Sequence, residues 1–176
     1  MSISLSEVPN GARVSPETQW VVFCIAGSEM SVGIRQVREI IRISEITTMP
    51  RAPRFLEGII NLRGRIIPVV DLKRRFNMPL IDPTSESRIL VVEIEDQMLG
   101  LLVDKVFEVF KAPALINAPP KKTILNIGPD FIKEVWNSDS RQILCLDLKK
   151  LFVFEEMKTP SEGGSSSQDG GENSGH

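Results

Sequence analysis

The chain has 176 residues, 41% of them hydrophobic, and a formal net charge of −2. That length and apolar content suit one compact domain, or two small ones sharing a core, and exclude disorder throughout. No apolar run approaches the roughly 18 residues that span a bilayer, so a transmembrane helix is excluded too.

Residues 1–18 are polar and lack the basic stretch followed by an apolar one that directs export, so a cytoplasmic location is expected. From Trp20 the chain becomes a series of short β-type runs: WVVFCIA, SVGI, GIINL, RIIPVVDL, RILVVEIE, MLGLLVD, FIKEVW and QILCLDL, broken by Gly, Asp, Asn and Pro. AGSE and IEDQ read as hairpin turns, and NLRGR places Gly64 where two strands reverse. Helices should be few and short: a turn around PRFLE with Pro53 at its start, and a final segment LKKLFVFEEM. No amphipathic run of the length a βαβ crossover needs connects the strands, which argues against a parallel α/β fold. The end, TPSEGGSSSQDGGENSGH, is too poor in apolar residues to fold. The expected organisation is a flexible 1–18, an ordered domain over 19–157 and a disordered tail over 158–176.

The core repeats itself. Shifted by 69 positions, Trp20–Arg42 falls on Ile89–Lys111 without gaps, and Val37 and Glu39 meet Val106 and Glu108. Shifted by 76, NLRGRIIPVVDLKRRF falls on NSDSRQILCLDLKKLF, matching Arg65 to Arg141 and Asp71-Leu72-Lys73 to Asp147-Leu148-Lys149. Any two buried strands share apolar residues; recurring polar positions are harder to obtain by chance. Two copies of one β module follow, each read as a small barrel, related by a pseudo-twofold axis.

Few residues offer chemistry. The one histidine, His176, is the last residue, so imidazole mechanisms in the core are absent. Cys24 and Cys145 sit in apolar runs and read as buried free thiols, and two cysteines so far apart build no zinc site. Phosphate-cradling glycine motifs are missing. No catalytic residue, metal or cofactor is expected. Asp71 and Asp147 read as caps of the helical turns that follow them. The absence of Tyr and the acidic balance speak against nucleic acid. Charge is uneven, however: Arg35–Arg75 holds ten Arg and Lys against four acids, or +6, leaving −8 elsewhere. Within it, copy one carries Leu62-Arg63-Gly64 where copy two has Ser138-Asp139-Ser140, so the basic turn belongs to one copy only. Arg63 there is a candidate contact for a partner's carboxylate.

The stretch PRAPRFLEGIINLRGRIIPVVDLKRRF, preceded by QVREIIR and closed by ILCLDLKKLF, resembles the signature of the CheW-like domain family of bacterial chemotaxis coupling proteins. The resemblance implies an all-β fold of two intertwined, SH3-like, five-stranded barrels with a few short helices. It implies a scaffold joining a chemoreceptor's cytoplasmic tip to the regulatory domain of the histidine kinase CheA, reaching the membrane through its partners without inserting into it. It places receptor-binding residues at Val37, Glu39 and Arg63, and kinase-binding residues at Ile46, Thr47 and Gly58. Two other functions compete: a coupling protein for surface motility or second-messenger control, and a small hydrolase joining Asp71 to Asp147.

Overall fold

The computed structural model describes residues 19–111, 127–138 and 141–152. Within them run ten strands and two short α-helices. In chain order these are β1 (Gln19–Ile25), β2 (Ser28–Gly33), β3 (Val37–Arg42), β4 (Leu56–Leu62), β5 (Arg65–Asp71), α1 (Leu72–Arg75), β6 (Arg88–Ile94), β7 (Gln97–Val103), β8 (Lys105–Lys111), β9 (Ile132–Ser138), β10 (Arg141–Leu146) and α2 (Leu148–Leu151). The tails expected to be disordered, the turn positions Asp139 and Ser140, and residues 153–157 of the proposed final helix lie outside the described residues.

The strands form two five-stranded sheets, β8-β1-β2-β10-β9 and β3-β6-β7-β5-β4. Replacing each strand of the second sheet by its repeat partner reproduces the order of the first, so the duplication extends to topology. It extends to register as well: Val22 faces Ser31 and Val91 faces Gly100, with bulges at Val22/Phe23 against β8 and at Val37/Glu39 against β6. Each sheet curls into an SH3-like barrel. Copy one contributes β1 and β2 to the barrel holding β8–β10, and copy two contributes β6 and β7 to the barrel holding β3–β5, so the modules are intertwined. In the β3–β7 barrel, closure is explicit: Thr47 and Ile59 exchange two backbone hydrogen bonds of 2.9 Å.

The turns follow from local chemistry. Ala26-Gly27, Arg63-Gly64 and Glu95-Asp96 all have positive φ, the two-residue geometry whose twist matches antiparallel strands. Strands β3 and β8 are absent from the eight β-type runs read from the sequence. Both are sheet edges with bulges and alternate with charged residues, which blurs the apolar pattern.

One apolar core draws on both barrels, including Phe23, Met30 and Val32 from one and Val70, Leu90 and Leu101 from the other. Fully burying such a side chain contributes about 1.5–3 kcal/mol. A smaller cluster, including Ile60, Ile67, Ile89 and Val91, fills the β3–β7 barrel alone. Two polar devices join the modules. Lys73, 2% exposed, donates to Asp104 at 2.6 Å, and Asp104 also accepts from Ala26 N at 2.7 Å. Arg75 lies 5.4 Å from the Phe55 ring and 5.2 Å from that of its repeat partner Phe131, donating to Leu151 O.

The other barrel buries two polar side chains, Ser31 and Glu134, among its apolar ones. Glu134 is 1% exposed, and neither of its carboxylate oxygens has a hydrogen-bond partner; the same holds for Trp20 Nε1 and Trp136 Nε1. Glu134 occupies the position of Gly58 in the first copy. Burial pushes its carboxyl upward, opposed in part by the charge of Lys133.

Candidate protein-binding surface

After a single 3₁₀ turn at Ile34–Gln36, β3 begins with its bulge, and Glu39 emerges half-buried beside the β4–β5 hairpin. The hairpin turn is fixed by Asn61, whose Oδ1 accepts from Gly64 N at 2.9 Å. That geometry holds Arg63 at φ 52°, with 74% of its side chain exposed and Nη2 2.7 Å from Glu39 Oε1. An exposed pair of this kind contributes at most about 1 kcal/mol. Left-handed backbone at a residue other than glycine costs on the order of 1–3 kcal/mol. Stability alone therefore does not account for an arginine at this turn. Val37 is half-buried against the shared core, where it sets the strand and presents little surface.

Ile46, Thr47 and Gly58 come together. Thr47 is exposed, Ile46 is half-buried against the inner cluster of the barrel, and Gly58 is buried beneath them. A Cβ on Gly58 would lie 2.3 Å from the Thr47 carbonyl oxygen and 2.8 Å from Ile46 Cγ2. Gly58 thus lets the 46–47 segment close on β4, and Thr47 supplies the accessible surface. All six candidate residues belong to the β3–β7 barrel or the segment closing it.

In the other barrel, formed by β1, β2 and β8–β10, an ion network stands in the equivalent place. Arg141 holds Glu29 in a fork, Nε at 3.0 Å and Nη2 at 3.1 Å, and donates through Nη1 to Glu108 at 2.9 Å. Those bonds, Glu29 first, hold its guanidinium more firmly protonated. Sequence reasoning did not assign these residues. The signal was there, because Arg141 and Glu108 are the repeat partners of Arg65 and Glu39.

The remaining candidate groups are engaged locally. Asp71 accepts from Lys73 N at 2.9 Å and Asp147 from Lys150 N at 3.2 Å, each capping its own helix, which removes the basis for a carboxylate pair. Burial pushes the Cys145 thiol up to about 12 and raises that of Cys24, which suppresses thiolate chemistry at both. Among the described residues no group of three or more His, Cys, Asp or Glu could hold a metal ion, and no helix is long and apolar enough to cross a membrane. What the surface offers is oriented charge and shape.

A family model described as the CheW-like domain matches residues 19–156. The chain is 32% identical over 156 residues to a probable chemotaxis protein CheW of Rhizobium etli, covering 89% of this chain and 97% of that protein. It is 30% identical over 146 residues to the chemotaxis protein CheW of Treponema pallidum, covering 80% and 85%. The crystal structure of the scaffolding protein TtCheW from Thermoanaerobacter tengcongensis aligns with a TM-score of 0.72 at 38% identity, over 79% of this chain and 90% of that one. With a family model matched over most of its length, a relative 32% identical over 89% of the chain and a solved structure that shares its fold, this chain belongs to the CheW-like domain family.

Proposed function

We propose that this chain is a chemotaxis coupling scaffold, joining the cytoplasmic tip of a methyl-accepting chemoreceptor to the regulatory domain of the histidine kinase CheA. The observation that carries this is the Glu39–Arg63 pair, displayed on a turn whose backbone disfavours arginine. Glu39 and Arg63 meet the receptor, with Val37 holding their strand in place. Thr47 meets the kinase, with Ile46 and Gly58 fixing its position. The protein works in the cytoplasm, reaching the membrane only through its receptor, and acts by binding rather than by catalysis. The names carried by its relatives, a scaffolding protein and chemotaxis proteins, agree with this role.

The test is assembly. Purified chain, a receptor cytoplasmic fragment and CheA should elute together in size-exclusion chromatography. Arg63→Glu should remove the receptor fragment from that complex while circular dichroism and the melting temperature stay at parent values. A folded parent protein that binds neither partner would overturn the proposal.

A further inference from the structure

The duplication supplies an internal template for reading a charge that has no partner among the described residues. Arg141 begins β10 and is held by two carboxylates, Glu29 in a fork and Glu108 through the remaining nitrogen. Its repeat partner, Arg65, begins β5 at the same place in the other barrel. Of the two corresponding positions there, one is Glu39, which is taken by Arg63 at 2.7 Å. The other, at the position of Glu29, is Met98, which packs on the inner apolar cluster. Arg65 is exposed, and among the described residues it makes no ion pair or side-chain hydrogen bond. A guanidinium that one barrel surrounds with acid thus has no acidic partner among the described residues in the other, one residue from the Arg63-Gly64 turn and inside the chain's most basic stretch.

We propose that Arg65 is a carboxylate-binding position whose acid comes from the protein partner on this face: an Asp- or Glu-bearing segment docks there as Glu29 docks on Arg141. The planar fork that grips Glu29 through two parallel N–H donors is available to such a group without rearranging the hairpin. This inference rests on the reading of the Glu39–Arg63 face as the receptor-coupling surface, and it names the chemistry that face recognises.

The experiment is calorimetric titration of a purified chemoreceptor cytoplasmic fragment into the full chain, at about 50 and about 300 mM salt, where screening differs strongly. Arg65→Gln should weaken binding about tenfold at low salt, the worth of one charge-assisted contact, and should flatten the salt dependence. Arg65→Lys should recover part of the affinity, keeping charge without the fork. The melting temperature of both variants should match the parent, because the wild-type side chain is exposed and makes no ion pair or side-chain hydrogen bond among the described residues. If Arg63→Glu weakens binding while Arg65→Gln binds like the parent at both salt concentrations, Arg65 is a solvated surface cation and the inference falls alone. If neither variant changes binding, the assignment of the face falls and takes this inference with it.

Discussion

At Arg63 the backbone is held at φ 52° in a turn where Asn or Gly fits at lower cost. Arg63→Asn should therefore leave the melting temperature unchanged or raise it slightly, while abolishing the ion pair to Glu39 and weakening capture of a receptor fragment. A variant that lost both stability and binding would show the arginine to be structural. Gly58 behaves in the opposite way. Its replacement by Ala sets a methyl carbon 2.3 Å from the Thr47 carbonyl oxygen, a backbone atom that cannot turn aside. Overpacking of this kind costs about 1–3 kcal/mol. The Ile59 amide, which bonds to Thr47, should then lose hydrogen-exchange protection ahead of the rest of β4. The sequence alone pointed to Arg63 as a displayed charge because its turn differs between the copies. It gave no sign that Gly58 is buried, since closure of the barrel by residues 46–47 is a tertiary event.

Among the elements, the hairpins and helix caps were the most legible. Asp71 ends β5, Asp147 follows β10, and both start helical turns as their repeated Asp-Leu-Lys suggested, because a short carboxylate beside free backbone N–H groups has one cheap solution. Edge strands β3 and β8 were not legible as strands, since a bulge breaks the period-two alternation on which such recognition depends. Lys73 was hidden for a different reason: lysine is rarely buried, and only the fold reveals that Asp104, 31 residues away, neutralises it. Asp104→Ala leaves that ammonium buried with only the more distant carboxylate of Asp71, 3.7 Å away, and also strips the acceptor from Ala26 N. It should destabilise the chain by about 3 kcal/mol in chemical denaturation, whereas an exposed pair such as Lys149–Glu95 should contribute under about 1 kcal/mol. Equal effects from the two would show that Lys73 reaches water.

For the whole molecule, the two barrels share an architecture but not an interior. One is filled with Ile, Val and Leu, while the other buries Glu134 and Trp20 beside the half-buried Trp136. Burial raises the Glu134 carboxyl above the ordinary glutamate range, so the folded chain binds its proton more tightly than the unfolded chain does. Its contribution to stability is therefore greatest in acid and declines as pH rises from the ordinary value to the raised one, staying flat above that. Glu134→Gln should melt higher than the parent at pH 7 and by a smaller margin near pH 5. Superimposable differences at both pH values would mean that Glu134 ionises freely. The duplication itself was visible in the residues because polar positions recur with the apolar ones. Which hairpin joins which barrel was not, because a shifted alignment carries no information on strand exchange; the family resemblance supplied the intertwining.

That exchange has a consequence for the loop between α1 and β6, which is exposed over residues 79–86. Each half of the chain lends its first hairpin to the other half's barrel, so neither half holds a complete sheet. Proteolytic scission in that loop would leave two fragments clasped through four ladders, β1–β8, β2–β10, β3–β6 and β5–β7, co-migrating until denaturant parts them. Expressed separately, each fragment would be unable to fold alone and would acquire structure only on mixing. The single chain is in this sense a tethered, domain-swapped dimer, and the tether replaces a bimolecular encounter with an intramolecular one.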